Sequence, residues 1–296
     1  MRVFMTGGTG FVGTYLSREL AIQGHEVTIL TRRAQPPAPA APGISLVTGD
    51  PTQEGPWMGA VPEHDWIINL AGASIFSRWS AGYKQEIFDS RIRTTRNLVI
   101  ALAEGDRRQL FCSTSAVGYY GPRGDEVLTE DSPPDAYFLA KLAEAWEAEA
   151  LKAQELGVRM VITRFGIVLG RDGGALGQMV PMFKRFLGGI LGQGTQWFSW
   201  IHQADHARAF SFIQAHPEIH GPVNLTAPHP VRNWELTRAL GQALHRPTIL
   251  PAPAFMMRLV LGEMADVLLS GQRVIPQKLR DAGFRFKFPT IAEALK

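Results

Sequence analysis

The chain has 296 residues, 45% hydrophobic and 19% charged, with a net charge of +3 at pH 7, which is enough apolar material for a sizeable core in one large domain or a domain with an appendage. No basic run exceeds the pairs Arg32-Arg33 and Arg107-Arg108, which argues against nucleic acid and favours an acidic small molecule as partner. A single cysteine excludes a disulfide framework and suits a reducing cytoplasm; a glycine turn begins by Gly7, leaving no room for a secretory apolar segment, and the apolar stretch Ala252 to Leu269 carries Pro253, Arg258, Glu263 and Asp266, so no membrane span is expected.

The first elements read as strand, turn and helix: the apolar run Arg2 to Met5, the glycine-rich Thr6-Gly7-Gly8-Thr9-Gly10-Phe11-Val12-Gly13, and the amphipathic Phe11 to Gln23. Gly7 and Gly10 can take backbone angles closed to other residues and hold no ligand off, while Gly13 lets the helix lie close on the strand. The free N–H groups at the helix start, with a dipole worth roughly half a positive charge, then face the pyrophosphate of a dinucleotide. Gly24 stops this helix and Glu26 to Leu30 forms a second strand. Sites that prefer NAD place an acid about 20 positions past the glycines. Here Thr31-Arg32-Arg33 stands there instead, and a guanidinium suits a 2′-phosphate, so NADP is the expected cofactor. Pro36 to Pro42 is a proline-alanine loop expected near the adenosine.

Ile44 to Val47 reads as a third strand, followed by Asp50, which either lines the adenine pocket or caps a turn. Trp66 to Leu70 is a fourth strand, and the small residues of Asn69-Leu70-Ala71-Gly72 let the nicotinamide half of the cofactor pass close to the backbone. Ser74 to Ser90 reads as a polar segment before a helix through Arg91 to Glu104. Its Arg78 and Lys84 are candidate contacts for an anionic substrate, or simply solvent-facing charges. Gln109 to Ser113 is a fifth strand, in which Cys112 is expected as a buried, inert thiol. It runs into Ser113-Thr114-Ser115-Ala116-Val117-Gly118-Tyr119-Tyr120-Gly121, a cluster of hydroxyls at a strand's carboxyl end, where open α/β sheets place their ligands. After the turn formers Ser132, Pro133, Pro134 and Asp135, Tyr137 opens a helix to about Leu156. The spacing of four between Tyr137 and Lys141 predicts one helical face for phenol and ammonium.

With these motifs the chain resembles the extended short-chain dehydrogenase/reductases, and within them the "epimerase family protein" branch related to nucleotide-sugar epimerases. The resemblance runs through Thr6 to Gly13, Asn69 to Gly72, Arg78-Trp79, Ser90-Arg91, Ser115 to Gly121, Arg164 to Gly170 and Trp200-Ile201-His202, and in the tail through Gly262-Glu263-Met264, Ser270 to Val274 and Gly283-Phe284. It implies a Rossmann-like, doubly wound parallel α/β sheet with a smaller, mostly helical C-terminal substrate lobe. Gly118 lengthens the serine-to-glycine run, so either Thr114 or Ser115 can be the catalytic hydroxyl.

Arg159 to Phe165 reads as a sixth strand. Beyond it come a glycine-rich crossover, a helix over Met179 to Leu187, a strand at Trp197 to Ile201, a helix at Asp205 to Ala215 and a buried strand at Val223 to Leu225. Trp234 to Leu244 and Ala254 to Leu269 read as two further helices. The resemblance divides the chain into residues 1–170 as the NADP-binding domain, with a return to the sheet around 197–226, and 171–296 as substrate lobe and tail. His202 and His206 are four apart with Asp205 between them, but no glutamate of the His-Glu-x-x-His kind is present and no cysteine is near, so no metal is expected.

The expected chemistry is proton transfer by Tyr137 while a hydride moves to or from the cofactor. A free phenol, with a pKa of about 10, is a poor base at neutral pH; the Lys141 ammonium would favour phenolate and hold the ribose hydroxyls, and Ser115 or Thr114 would donate to the reacting oxygen. Tyr119 and His202 join Arg78 and Lys84 as candidate substrate contacts. Two classes follow: an NADP-dependent oxidoreductase or epimerase acting on a small carbonyl or hydroxyl compound, nucleotide-linked or phosphorylated, or an NADP(H)-binding regulator without turnover. Monomer and homodimer fit equally.

Overall fold

A computed structural model of the chain describes residues 1–33, 41–171 and 173–296; most of the loop expected at Pro36 to Pro42 lies outside these. Strands β1 (Arg2–Thr6), β2 (Glu26–Thr31), β3 (Ile44–Thr48), β4 (Trp66–Asn69) and β5 (Leu110–Ala116) alternate with helices α1 (Phe11–Ile22) and α2 (Ala81–Leu102). The chain continues through β6 (Val127–Leu128), α3 (Phe138–Leu151), β7 (Arg159–Phe165), β8 (Ile167–Gly170), α4 (Gly174–Lys184), β9 (Trp197–Phe198), β10 (Trp200–His202), α5 (Gln203–Ala215) and β11 (Gly221–Leu225). Seven strands form one parallel sheet in the order β11-β7-β5-β4-β1-β2-β3.

The period-two alternation of each strand sends its side chains into two separate cores. Val3, Met5, Trp66, Ile68 and Cys112 pack with Leu16 and Leu20 of α1 and Phe210 and Ile213 of α5. Phe4, Ile67, Phe111 and Met160 pack on the other face with Leu98 and Ala101 of α2 and Ala150 of α3. From β1 the chain winds outward to β2, and from the neighbouring β4 it winds the opposite way to β5. The crevice between the carboxyl ends of β1 and β4 is therefore the topological switch point at which such sheets bind ligands.

Several boundaries differ from expectation for local reasons. Helix α2 starts ten residues before Arg91, at Ala81, because Ser80 caps it: its hydroxyl accepts from the N–H of Tyr83 at 3.1 Å. Lys84 is thus on a helix, not in a polar loop. Helix α4 occupies Gly174–Lys184 instead of Met179 to Leu187 and stops before Phe186, whose φ is +63°. Of the segments expected to return near 197–226, only β11 joins the main sheet; β10 pairs with β8 in a separate two-stranded sheet.

Past β11, helix α6 (Asn233–Leu244; α5 being its predecessor) contributes Leu236 and Leu240 to a third core with Leu169, Phe183 and Trp200. The expected single helix Ala254 to Leu269 is two, α7 (Ala254–Leu261) and α8 (Met264–Leu269), broken at Gly262, which takes φ +62°. The tail then doubles back, placing Leu279 and Phe284 in the core shared by α1 and α5. Segments after residue 170, among them β11, α5 and the tail, are thus built into the main sheet and its core. No helix among the described residues is long and apolar enough to cross a membrane.

Candidate functional site

The glycine turn leaves β1 at Thr6, whose hydroxyl donates to Asn69 Oδ1 at 2.7 Å and accepts from the N–H of Ala71 at 3.3 Å, tying together the ends of β1 and β4. A Cβ on Gly7, at φ +69°, would lie 2.7 Å from the Leu70 backbone, and one on Gly13 would lie 2.4 Å from the Gly7 carbonyl oxygen. Gly10 caps α1 with no side-chain bond, and the first turn holds no acidic residue. The amides of Phe11, Val12 and Gly13 therefore begin a helix without an internal counter-charge, an arrangement that favours an anion. Thr9 and Gly10 are exposed, while the Phe11 ring lies against Gly173 and Gly174 of the second lobe.

At the end of β2, Thr31 is buried and Arg32 and Arg33 are exposed, with no ion pair to either among the described residues. Asp50 accepts from both the N–H and the hydroxyl of Thr52, at 2.9 and 2.7 Å on one oxygen; of its two expected roles the structure displays the turn cap. Leu70 and Ala71 abut Gly7, and Gly72 faces the guanidinium of Arg91, which would approach a Cβ there to 3.0 Å.

The hydroxyl cluster divides by strand face. Ser115 points toward α3 and donates to Glu147 Oε1 at 2.6 Å. Glu147 in turn is held by Arg164 of β7 through two hydrogen bonds of 2.8 and 2.7 Å. Arg164 also donates to Tyr120 Oη at 2.8 Å and stacks on the Tyr119 ring at 3.6 Å, and Tyr120 donates to Asn224 Oδ1 at 2.7 Å. Ser115 is thus committed to a buried ion pair, and Tyr119 is engaged with the same guanidinium. Thr114 faces the other way, and its buried hydroxyl has no partner among the described residues. Sequence reasoning passed over Glu147; the signal was an arginine inside the otherwise apolar strand Met160 to Phe165, which needs a buried acid.

Tyr137 is the N-cap of α3, with extended backbone (φ −81°, ψ 171°), and not part of its first turn. Its carbonyl accepts the helical hydrogen bond from the Lys141 N–H at 3.0 Å, four residues on. The phenol oxygen reaches within 3.3 Å of where a Cβ on Gly118 would stand. Burial, and next the charge of Asp135, push its pKa above the ordinary phenol value, while the nearby Gln272 side chain opposes them. Lys141 is exposed.

Of the expected substrate contacts, Lys84 pairs with Glu263 of the tail and lies 5.3 Å from the centre of the Phe138 ring. Arg78 is exposed, its stem 3.7 Å from the Cβ position of Gly262. His202 caps α5, Nδ1 accepting from the N–H of Ala204 at 3.2 Å, and its ring packs on Phe288. Burial lowers its pKa. Among the described residues no three His, Cys, Asp or Glu side chains converge as metal ligands. The Cys112 thiol, pushed up to about 12 by burial, accepts from the Trp66 indole at 3.3 Å.

His206 packs edge-on against Phe165, ring centres 4.3 Å apart, and burial drives its pKa down to about 3. The folded state holds it neutral while the unfolded chain protonates it below its ordinary 6.5, so its contribution to stability is lost as pH falls through that value. Between pH 6.5 and 5 the loss should be about 2 kcal/mol. Urea midpoints at pH 7 and pH 5 should converge in His206→Met relative to the parent; an unchanged pH dependence would refute the assignment.

Residues 3–225 match the model of the NAD dependent epimerase/dehydratase family, and residues 252–296 match a second, described as Domain of unknown function (DUF1731). The Arabidopsis thaliana Epimerase family protein SDR39U1 homolog, chloroplastic, is 40% identical, covering 100% of this chain and 86% of the relative. Epimerase family protein YfhF of Bacillus subtilis is 38% identical, covering 100% of this chain and 97% of the relative. Among solved structures, the human epimerase family protein SDR39U1 with NADPH superposes with a TM-score of 0.88 at 35% identity, covering 100% of this chain and 98% of that one. The Thermus thermophilus UDP-glucose 4-epimerase in complex with NAD, at 20% identity and a TM-score of 0.80, covers 100% of this chain and 97% of that one and shares the fold.

Proposed function

The chain belongs to the NAD dependent epimerase/dehydratase family, and on that premise we propose that it is an NADP(H)-dependent oxidoreductase or epimerase of the extended short-chain dehydrogenase/reductase type. Its substrate class is a small, anionic carbonyl or hydroxyl compound, nucleotide-sugar-like in character. The observation that carries this reading is the convergence, at the carboxyl edge of one parallel sheet, of an uncapped helix start behind a glycine turn and an exposed arginine pair where an acid would select NAD.

The residues present fit the cofactor. The amides of Phe11, Val12 and Gly13 receive the pyrophosphate, Gly7 and Gly10 admit it, and Arg32 with Arg33 takes the 2′-phosphate. Thr9, Thr31 and Asp50 border the adenosine side, and Leu70, Ala71 and Gly72 the backbone along which the dinucleotide runs. NADP(H), when bound, gives or takes the hydride. Tyr137, held protonated by its burial, donates its proton to the carbonyl oxygen of a substrate undergoing reduction. Thr114 supplies the unspent hydroxyl that hydrogen-bonds the same oxygen, and Lys141 holds the ribose hydroxyls. Ser115 instead fixes the strand through Glu147.

A charge-assisted hydrogen bond contributes roughly 1.5 to 3 kcal/mol, about ten- to a hundredfold in affinity. Calorimetric titration should therefore find NADPH bound more tightly than NADH by that factor, and Arg32→Ala should erase most of the difference. Equal affinities in the parent, or a variant that keeps the preference, would contradict it. The alternative reading, an NADP(H)-binding regulator without turnover, draws on the exposure of Lys141. Tight NADPH binding with no turnover across a broad screen of carbonyl, alcohol and nucleotide-sugar compounds would favour it.

A further inference from the structure

Arg91 sits in α2 beside the crevice, and nothing in the chemistry above uses it. Its guanidinium lies over the Trp146 ring, 5.2 Å from the centre, and donates one hydrogen bond, from Nη1 to the carbonyl of Ile87 at 3.0 Å. Its neighbours on the same helix are neutralised, Arg93 by Asp89 and Arg96 by Glu149. Among the described residues no carboxylate pairs with Arg91. Burial lowers its pKa to about 10, so the cation has lost water without gaining a counter-charge. A guanidinium left in that state is retained at a cost unless an anion completes it.

Against this guanidinium lies Gly72, which is exposed. A Cβ there would stand 3.0 to 3.2 Å from Cζ, Nη1 and Nη2, so any other residue would press on the guanidinium. Two residues earlier the same backbone touches Gly7 of the phosphate-binding turn. We propose that Arg91 and the exposed backbone at Gly72 form a second anion site in the crevice, which takes a phosphate group through the planar fork of the guanidinium. The inference rests on the reading of the crevice as a dinucleotide site. Two sources share this chemistry: the pyrophosphate of the cofactor, and a phosphate carried by the substrate.

The test compares the parent with Arg91→Met, which keeps an unbranched stem on Trp146, and Arg91→Lys, which keeps the charge without the fork. Melting curves check that each folds, and Arg91→Lys carries the comparison if the Met variant does not. NADPH and NADH are titrated into the free protein, and inorganic pyrophosphate into protein saturated with NADPH. If the anion is the cofactor's, Arg91→Met weakens NADPH and NADH alike by tenfold or more, with Arg91→Lys between. That pattern differs from loss of the Arg32 contact, which spares NADH. If the anion is the substrate's, cofactor binding is unchanged and pyrophosphate binding to the loaded protein disappears. Binding of cofactors and of pyrophosphate that is the same in all three proteins overturns the site. A parent that binds neither cofactor contradicts the dinucleotide reading instead; pyrophosphate titrated into the free protein then decides for Arg91 if the variants lose it, and against Arg91 if the parent does not bind it.

Discussion

Tyr137→Phe should abolish turnover, by about 10²- to 10⁴-fold, the usual contribution of a positioned acid or base, while fold and cofactor affinity stay as they are. The substitution removes one oxygen from the side chain at the cap of α3 and leaves its ring in place. The raised pKa makes a second, directional expectation. A phenol that stays protonated across neutral pH can give a proton throughout that range, so reduction of a carbonyl should be nearly independent of pH there. Oxidation of an alcohol needs the phenolate and should rise with pH through the alkaline range. Initial rates in both directions, with NADPH and NADP respectively, test this on any substrate found by screening. A Tyr137→Phe protein as active as the parent would make the tyrosine structural.

The second large effect is on stability. Glu147 and Arg164 are 7% and 3% exposed and hold each other through two hydrogen bonds. Glu147→Gln preserves shape yet leaves the Arg164 charge buried and unneutralised, and breaking one partner of such a pair typically costs about 3 to 5 kcal/mol. In a chain of this size the melting temperature should fall by on the order of 10 °C. Glu147→Leu combined with Arg164→Met should recover much of the loss, because a matched apolar pair leaves no charge behind. A Glu147→Gln variant melting with the parent would show that water reaches the pair.

The sheet was legible because its strands are apolar runs bounded by glycine and polar turns, and the glycine turn because its residues are consecutive. What could not be read depends on contacts across distance. Glu147 and Arg164 are brought together by α3 folding back onto β7, which no local pattern records. Ser115 and Thr114 are chemically similar neighbours; the alternation of β5 sends one into the ion pair and leaves the other unpartnered. Tyr137 stands at the cap of α3, one residue before the helix begins, a boundary that spacing alone does not set. Lys84 was read as free because its partner, Glu263, arrives from a tail helix end 179 residues later. Arg91 was visible only as part of a motif; its lack of a carboxylate is a property of the folded surroundings.

The most direct test of the central claim is a crystal structure of the protein with NADPH. Expected there are the 2′-phosphate against Arg32, the pyrophosphate over the amides of Phe11 to Gly13, and the nicotinamide ring in van der Waals contact with the Tyr137 side chain. A nicotinamide ring directed away from Tyr137 would contradict it.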